Sequence, residues 1–380
     1  MTLQKKIEKA LGDFFLTLFR LFILNEEFPV DKIEHNNINS ILVVLRHQMG
    51  DMLCASPMLK SLKDIYPRAH ITLVTKESTN YEKIFTGENS IADVVKNFEY
   101  GLENFMALIK ELREKRFDLA IVPSTVVFSA TNHLIAYFSR ARIRTGVSSI
   151  NNNDNKTSYL LNVRGDFLWE TKKIHQVERN LDIIRQLHIV PGITRIKLNI
   201  GVKNKEFAEK YLKANFSDIN RPIIGVHPGG AKENNIWKIS NFAELLNRLY
   251  NKFECNIFIS VGPHDVRYSE ELKRILAEKY KTTNIASHRG ILMNNMGIIN
   301  LTDLFITNDT GVMHLASGLD IPVIALFGPT KAYEWGPLGG NKVSIQSVSA
   351  DINEITVDQV YELSTRFLNM RISENKRINA

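Results

Sequence analysis

The residue types most suited to binding a phosphate group lie in residues 308–330, NDTGVMHLASGLDIPVIALFGPT. Apolar runs at 304–307 and 323–327 indicate two strands, with a short apolar helical pattern between them. Asp309 and Thr310 are helix-capping types, and Gly311 lets the backbone approach a ligand closely. Unpaired N–H groups at such a helix start bind anions, so these three residues are predicted to bind phosphate. A capped helix without a ligand is the alternative that this stretch leaves open.

His314 lies one helical turn after Gly311 and could therefore face the same anion. A histidine in a short apolar helix can equally be a structural residue. The sequence leaves both roles open for His314.

A second candidate site is RHQMGDML at residues 46–53, directly after the first predicted strand. Gly50 permits a tight turn there. Asp51 could cap the following helix, which its residue type alone favours, or present a carboxylate that accepts a proton from a sugar hydroxyl. The other candidates at this strand end are Arg46, His47, Gln48 and Gly50. They could contact the molecule whose hydroxyl accepts a transferred group, called the acceptor below.

The third candidate is HPGGAKENNIWK at residues 227–238, at another strand end. Gly229 and Gly230 leave backbone N–H groups accessible, and Lys232 or Lys238 could neutralise a departing diphosphate. The spacing is not that of a Walker loop.

The fourth is SVGPHDVRY at residues 260–268, where His264 or Asp265 could meet a ribose or a base. A solvated turn is the alternative for both residues.

These candidates follow strands in an α/β pattern, which predicts two parallel sheets covered by helices. The predicted strands are 41–46, 71–75, 93–98, 118–123, 222–228, 256–262, 303–309 and 322–328. The polar segment 151–158 is predicted to be a surface excursion or a flexible lid. We divide the chain into an amphipathic extension (1–38), an N-terminal α/β domain predicted to bind an acceptor (39–189), a linker (190–203), a C-terminal α/β domain predicted to bind an activated phosphate donor (204–350) and a C-terminal helix and tail (351–380). A cleft is expected between the two domains.

Composition narrows the class of protein. The 380 residues are 44% hydrophobic and 23% charged, as in a globular protein, and 48 basic against 41 acidic residues favour anionic partners in general. We find no dense basic stripe, so no nucleic-acid partner is expected. Cys54 and Cys255 are isolated, which argues against a disulfide or a zinc site. No metal-binding motif or cofactor motif is present.

The apolar segment at 11–24 is interrupted by Asp13 and Arg20, so it is too short and too charged to span a bilayer comfortably. Three lysines precede it, Lys5, Lys6 and Lys9, as in interfacial helices. Two readings stay open for residues 1–24: a helix at an anionic membrane surface, or a helix packed on the protein itself.

Taken together, ILVVLRHQMGDMLCASPMLKSLK, HQVERNLDII, GVHPGG and NDTGVMHLASGLDIPVIALFGPT resemble, in order and spacing, the family 9 glycosyltransferases, the heptosyltransferase group of lipopolysaccharide synthesis. The resemblance runs from about residue 41 to residue 330. It implies a GT-B fold, in which two Rossmann-like domains face each other across a cleft. It also implies inverting, metal-independent transfer from a nucleotide sugar, typically ADP-heptose.

The resemblance also implies residue roles. Asp51 matches the proposed general base. The matching donor-side positions are Gly229, Gly230, Asp309, Thr310, Gly311 and His314. The sequence differs from the family's usual pattern at two places. Asn235 occupies a position where many members carry a basic residue, and His47 and Gln48 stand where members often have small hydroxyl residues.

From these features we expect a heptosyltransferase-like enzyme of the cytoplasm. Its partners would be a nucleotide-sugar donor and a saccharide or lipid-linked saccharide acceptor, with attachment to the inner membrane left open. A non-catalytic nucleotide-sugar or saccharide binder on the same fold is the main alternative, and a nucleotide-sugar epimerase is a second one.

Overall fold

The computed structural model describes residues 18–23, 25–76, 82–87, 91–263 and 265–378. The candidate His264 and most of the predicted apolar extension lie outside the described residues. Among the described residues, no helix combines the length and the apolarity needed to cross a bilayer.

The chain divides into two compact units. The first contains the described residues of Met1–Gln48, Ala55–Thr79 and Ser90–Thr194, and the second those of Met49–Cys54, Asn80–Asn89 and Arg195–Ala380. The short segment Met49–Cys54 is therefore grouped with the second unit, although it lies early in the chain.

The first unit contains a seven-stranded sheet with the order β3-β2-β1-β4-β5-β6, in which β7 also pairs with β5. All pairs are parallel except β5 with β6. Its strands are β1 Ser40–Val44, β2 His70–Lys76, β3 Val94–Phe98, β4 Leu119–Ile121, β5 Ile143–Ile150, β6 Asn153–Asp154 and β7 Val163–Phe167. The helices of this part of the chain are α1 Met49–Ile65, α2 Glu82–Phe85, α3 Leu102–Glu114, α4 Ala130–Phe138 and α5 Gln176–Arg185.

The second unit contains a six-stranded, wholly parallel sheet with the order β10-β9-β8-β11-β12-β13. Its strands are β8 Ile223–His227, β9 Asn256–Ser260, β10 Ile285–His288, β11 Leu304–Asn308, β12 Val323–Phe327 and β13 Lys342–Gln346. Its helices are α6 Val202–Asn215, α7 Ile239–Phe253, α8 Val266–Glu278, α9 Leu292–Ile299, α10 Gly311–Ser317, α11 Ala332–Trp335 and α12 Val357–Ile378.

The central strands of the second sheet are apolar on both faces because helices cover both. Every residue of β8, β9, β11 and β12 is buried. Phe242, Leu246 and Leu249 form the buried stripe of α7 and pack in the same core as Ile224 and Ile306. The strand order reverses direction between β8 and β11, and open α/β sheets bind ligands at the carboxyl ends of strands at such a point.

The predicted α/β class with two parallel-strand sheets is confirmed, and all eight predicted strands are present. Four longer strands were missed: β5, β7, β10 and β13. Glycine or charged residues interrupt β5 and β7, and β13 is only half-buried at the sheet edge, so none shows a clean apolar run.

Residues 151–158 are not a loose lid. They include the short strand β6, and the side chains of Asn155 and Thr157 are buried. Asn155 Nδ2 donates to the Val147 carbonyl at 2.7 Å and lies 3.3 Å from His133 Nε2. Thr157 Oγ1 lies 3.0 Å from His133 Nδ1 and donates to Asn155 Oδ1. These bonds close a ring that anchors the segment.

This ring suits a neutral imidazole, with Nδ1–H donating to the threonine hydroxyl and Nε2 accepting from the asparagine amide. Burial lowers the pKa of His133 from 6.5 to about 4. A histidine whose pKa is lower in the folded state stabilises the fold less as pH falls, because only the unfolded chain binds the proton between these two values.

We therefore expect His133 to remove about 3 kcal/mol of stability as pH falls from its unfolded pKa toward its folded one. In His133→Gln, the free energy of unfolding should depend less steeply on pH in that window. Urea unfolding of both proteins at pH 7 and near pH 4.5 measures the difference. An unchanged pH dependence in the variant would contradict the buried neutral ring.

Candidate functional site

The glycine turn after β8 is fixed by a side chain from the neighbouring strand. Asn308, the last residue of β11, is fully buried. Its Nδ2 donates to the carbonyl oxygens of Pro228 and Gly229, at 3.0 Å each, and its Oδ1 accepts from the Trp237 N–H at 3.1 Å. Asn308 thus joins the carboxyl ends of β8 and β11.

A carboxylate supports the same turn from the opposite side. Asp265 Oδ1 accepts from the Gly230 N–H at 3.2 Å, and its Oδ2 lies 3.5 Å from His227 Nε2. A Cβ on Gly229 would overlap this carboxylate, so the position requires glycine. Burial lowers the pKa of His227, and the Asp265 charge opposes that shift.

The sequence predicts that Asp265 could meet a ribose or a base, with a solvated turn as the alternative. Both of its oxygens instead have partners within the protein, which favours a positioning role through Gly230.

The loop after β11 begins α10 as its sequence predicted. Thr310 is the N-cap, and its Oγ1 accepts from the Met313 N–H at 3.3 Å. That bond satisfies one of the N–H groups in the first turn, which otherwise lack partners within a helix. The helix starts at the carboxyl end of β11. Since α10 has seven residues, local N–H groups rather than a long helix dipole are what this start offers to an anion.

Asp309 lies beside this cap and is largely buried. Burial raises the pKa of its carboxyl, while a hydrogen bond with Thr330 and the charge of Lys232 act in the opposite direction. Asn235 Nδ2 donates to Thr330 Oγ1 at 3.0 Å and reaches Asp309 Oδ2 at 3.5 Å. Asn235, which replaces a basic residue common in the resembled family, therefore ties these two loops together without adding charge.

The two candidate lysines are in different surroundings. Lys232 is exposed and acts electrostatically on Asp309. Lys238 acts on Asp351, and its backbone N–H donates to Asn353 Oδ1 at 3.0 Å. Lys232 is thus the lysine whose charge reaches the Asp309 loop.

The first turn of α1 packs against α10, and both belong to the second unit. His314 is buried, and its Nδ1 lies 3.7 Å from Cys54 Sγ. A Cβ on Gly50 would lie 3.2 Å from His314 Nε2, so the lack of a side chain there allows the close approach. The His314 ring also meets Trp335 edge-on, at 6.0 Å between ring centroids.

Asp51 lies in the first turn of α1, whose N-cap is Gln48. The alternative role of Asp51 as the N-cap is therefore wrong, because the helix begins three residues earlier than that role requires. Both Asp51 and Asp309 raise the pKa of the Cys54 thiol, although burial is the larger cause. The two carboxylates thus lie near one buried thiol, which is kept protonated and unreactive.

The remaining acceptor-side candidates belong to the first unit. Arg46 is buried, and its guanidinium lies over the rings of Phe98 and Tyr100, at 4.6 and 4.5 Å from their centroids. His47 is half-buried and Gln48 is exposed. The predicted acceptor-side residues thus follow β1 directly.

Sequence reasoning missed the contacts of Thr330 with Asn235 and of Trp335 with His314. A usable signal existed for the first: Thr330 follows β12, the strand beside β11, so its neighbours at the sheet edge were predictable. Among the described residues, no group of three His, Cys, Asp or Glu side chains could hold a metal ion.

A sequence profile for Glycosyltransferase family 9 (heptosyltransferase) matches residues 105–360. Lipooligosaccharide heptosyltransferase 2 of Haemophilus influenzae is 26% identical over 333 residues, which cover 83% of this chain and 91% of that protein.

Two solved structures share the fold. The family 9 glycosyltransferase of Veillonella parvula has a TM-score of 0.73 at 18% identity, covering 89% of this chain and 99% of that one. The E. coli ADP-heptose LPS heptosyltransferase II has a TM-score of 0.72 at 22% identity, covering 87% and 99%. The predicted GT-B fold class is confirmed by these structures.

The glycine turn gives a test of this site. Gly229→Ala should lower the free energy of unfolding by about 1–3 kcal/mol, because its methyl group meets the Asp265 carboxylate. Gly192→Ala is the matched control, since nothing lies within 4 Å of a Cβ there. Thermal unfolding of both variants measures the difference. Equal stability of the two variants would contradict the packing of Asp265 beneath the turn.

Proposed function

Because the chain belongs to glycosyltransferase family 9, the heptosyltransferase family, we propose that it moves heptose or a related sugar from a nucleotide-sugar donor to a saccharide acceptor. The profile match covers residues 105–360, which is most of the chain. The observation that carries the proposal is the joined pair of strand ends in the second unit, where the Gly229–Gly230 turn lies beside the Asp309–Thr310 loop.

We propose that the donor diphosphate lies at these strand ends. The backbone N–H of Gly229 and those at the α10 start would donate to its oxygens, while the Gly230 N–H stays bonded to Asp265. Lys232 would supply the positive charge, which its electrostatic effect on Asp309 supports. Such donors matter most when negative charge develops on the leaving diphosphate, so they would lower the barrier as well as bind the donor.

We propose Asp51 as the general base. Its carboxylate would accept the proton of the acceptor hydroxyl while that oxygen attacks the anomeric carbon. The bond between this carbon and the diphosphate oxygen breaks in the same step, which inverts the configuration. The nucleoside diphosphate leaves with the bonding electron pair. No step of this scheme calls on a metal ion.

His314 would help to fix the position of Asp51. Its buried ring packs between Gly50 and Trp335, so it would hold the first turn of α1 against α10. We therefore propose His314 as a positioning residue for Asp51.

ADP-heptose is the favoured donor, since the structurally similar E. coli enzyme is named an ADP-heptose LPS heptosyltransferase. The acceptor would be a lipopolysaccharide core or another cell-surface saccharide, contacted through Arg46, His47, Gln48 and Gly50. Arg46 suits an anionic acceptor group, because its guanidinium is positively charged and lies over two aromatic rings that orient it. Such an acceptor would be met in the cytoplasm at the inner membrane.

The two lysines provide one test. Lys232→Gln should weaken binding of a nucleoside diphosphate about tenfold, because one charge-assisted contact is lost. Lys238→Gln is the matched control and should bind nearly as wild type does, since its charge faces Asp351. Calorimetric titration with ADP measures both. A larger loss in Lys238→Gln would reverse the assignment.

The base provides another test. Asp51→Asn should lower kcat about 10²–10⁴-fold, as expected for the loss of a general base, while donor affinity changes little. Asp64→Asn is a matched control on the same helix, where the carboxylate is exposed and pairs with Lys60. Transfer from ADP-heptose is followed by release of ADP. Turnover near wild type in Asp51→Asn would reject the base, and donor binding without turnover in the wild type would favour a non-catalytic binder.

A further inference from the structure

A groove rich in arginine lies in the first unit, away from the strand ends discussed above. It consists of two adjoining hollows of about 480 and 360 Å³. Arg113, Arg140 and Arg142 line both hollows, Arg144 lines the larger one and Arg116 the smaller one. We call these five residues and the space between them the arginine groove.

The arginine groove lies at the amino ends of the strands, whereas Arg46 lies at the carboxyl end of β1. Arg116 lies shortly before β4 and Arg142 directly before β5, so both are near the amino ends of these strands. Ligands of open α/β sheets bind at the carboxyl ends. The groove is therefore separate from the acceptor-side candidates that follow β1.

The groove carries uncompensated positive charge. Within the described part of the chain, none of the five guanidinium groups is ion-paired, and the side chains of Arg116, Arg140 and Arg142 make no hydrogen bond. Among the described residues, Asp118 is the one carboxylate that lines either hollow. Its Oδ2 already accepts from the N–H groups of Asn39 and Ser40, at 2.8 and 3.0 Å.

Two of the arginines are held in place by carbonyl groups. Arg113 Nε donates to the Phe138 carbonyl at 2.9 Å, and Arg144 Nη1 donates to the Ala141 carbonyl at 2.7 Å. Burial lowers the pKa of Arg144, as expected for a cation removed from water without an anionic partner. Arg144 also donates from Nε to the Leu160 carbonyl and from Nη2 to Asn25 Oδ1, so it mainly adds fixed positive charge. The side chains of Arg116, Arg140 and Arg142 can bind a phosphate through paired N–H donors.

An apolar edge adjoins the arginine groove. Phe19 packs on the rings of Tyr137 and Phe138, which line the larger hollow, at 6.2 and 6.0 Å between centroids. The next residues present their side chains outward: Leu21 is 78% exposed and Phe22 is 77% exposed. Exposed apolar side chains beside a cationic surface are typical of contact with an anionic membrane.

We propose that the arginine groove binds the phosphate groups of anionic phospholipids, while Leu21 and Phe22 enter the interfacial layer of the membrane. The sequence alone did not reveal this surface, because its arginines come from two segments that the fold brings together. The inference concerns a face outside the donor site, and it is tested without donor or acceptor, so its failure leaves the proposed function untouched.

The experiment is flotation of the full-length protein with vesicles of phosphatidylcholine alone or with phosphatidylglycerol added. The test variant is Arg140→Asn with Arg142→Gln. Asparagine is chosen at residue 140 because φ is 61° there, a region that asparagine tolerates. The matched control is Lys210→Gln with Lys213→Gln on α6, which removes the same charge from exposed positions of the second unit.

We expect the wild type and the control pair to float with the anionic vesicles and not with phosphatidylcholine alone. The variant Arg140→Asn with Arg142→Gln should have a partition coefficient about tenfold or more below that of the wild type, since each basic side chain near an anionic surface contributes measurably. Circular dichroism checks that each variant is folded. The proposal would be overturned if the arginine variant and the lysine control lost vesicle binding equally, or if the arginine variant lost none.

A soluble probe distinguishes the sources of phosphate. If inorganic phosphate or glycerol phosphate protects the protein from thermal unfolding through these arginines while anionic vesicles do not bind, the lipid assignment is overturned. Leu21→Ser with Phe22→Ser should weaken flotation but leave any effect of soluble phosphate unchanged. Retained flotation in that variant would overturn the role of the apolar edge.

Discussion

The proposed donor site depends on one buried amide side chain. Asn308 accepts from the Trp237 N–H and donates to two carbonyls of the turn after β8, so it fixes the ends of β8 and β11 to each other. A buried amide with unsatisfied groups is costly, so these three bonds strongly favour one arrangement of the turn. The Gly229–Gly230 turn and the backbone at Trp237 are therefore both bonded to the end of β11, from which α10 begins.

Charge in the site is distributed differently from what the resemblance implied. Asn235 replaces a basic residue and bridges Thr330 and Asp309, so it contributes geometry instead of charge. Lys232 is exposed and its charge acts on Asp309, so we propose it as the source of positive charge in this site. In the proposed site two tasks are therefore separate: Asn308, Asn235 and Asp265 hold the loops, and Lys232 would meet the ligand.

Much of this site could be predicted because strand ends carry local signals. The cap at Thr310 and the glycine turn follow directly from residue type and spacing. Tertiary contacts could not be read in the same way: Asp265 was predicted to meet a ligand, yet it supports Gly230, because the sequence does not show which way a carboxylate points. The arginine groove was missed for a related reason, since Arg113 and Arg140 become neighbours only after α3 and α4 pack.

The central claim is that the joined strand ends of β8 and β11 hold the diphosphate of a nucleotide sugar. A thermal-shift panel of nucleotide sugars tests it most directly, because a ligand that binds only the folded protein raises the apparent stability by mass action. The account predicts that ADP-heptose raises the unfolding temperature in proportion to the logarithm of its concentration, and that the shift is smaller when Asn308→Ala uncouples the turn. No shift with any nucleotide sugar, at concentrations where ADP-heptose is turned over, would contradict it.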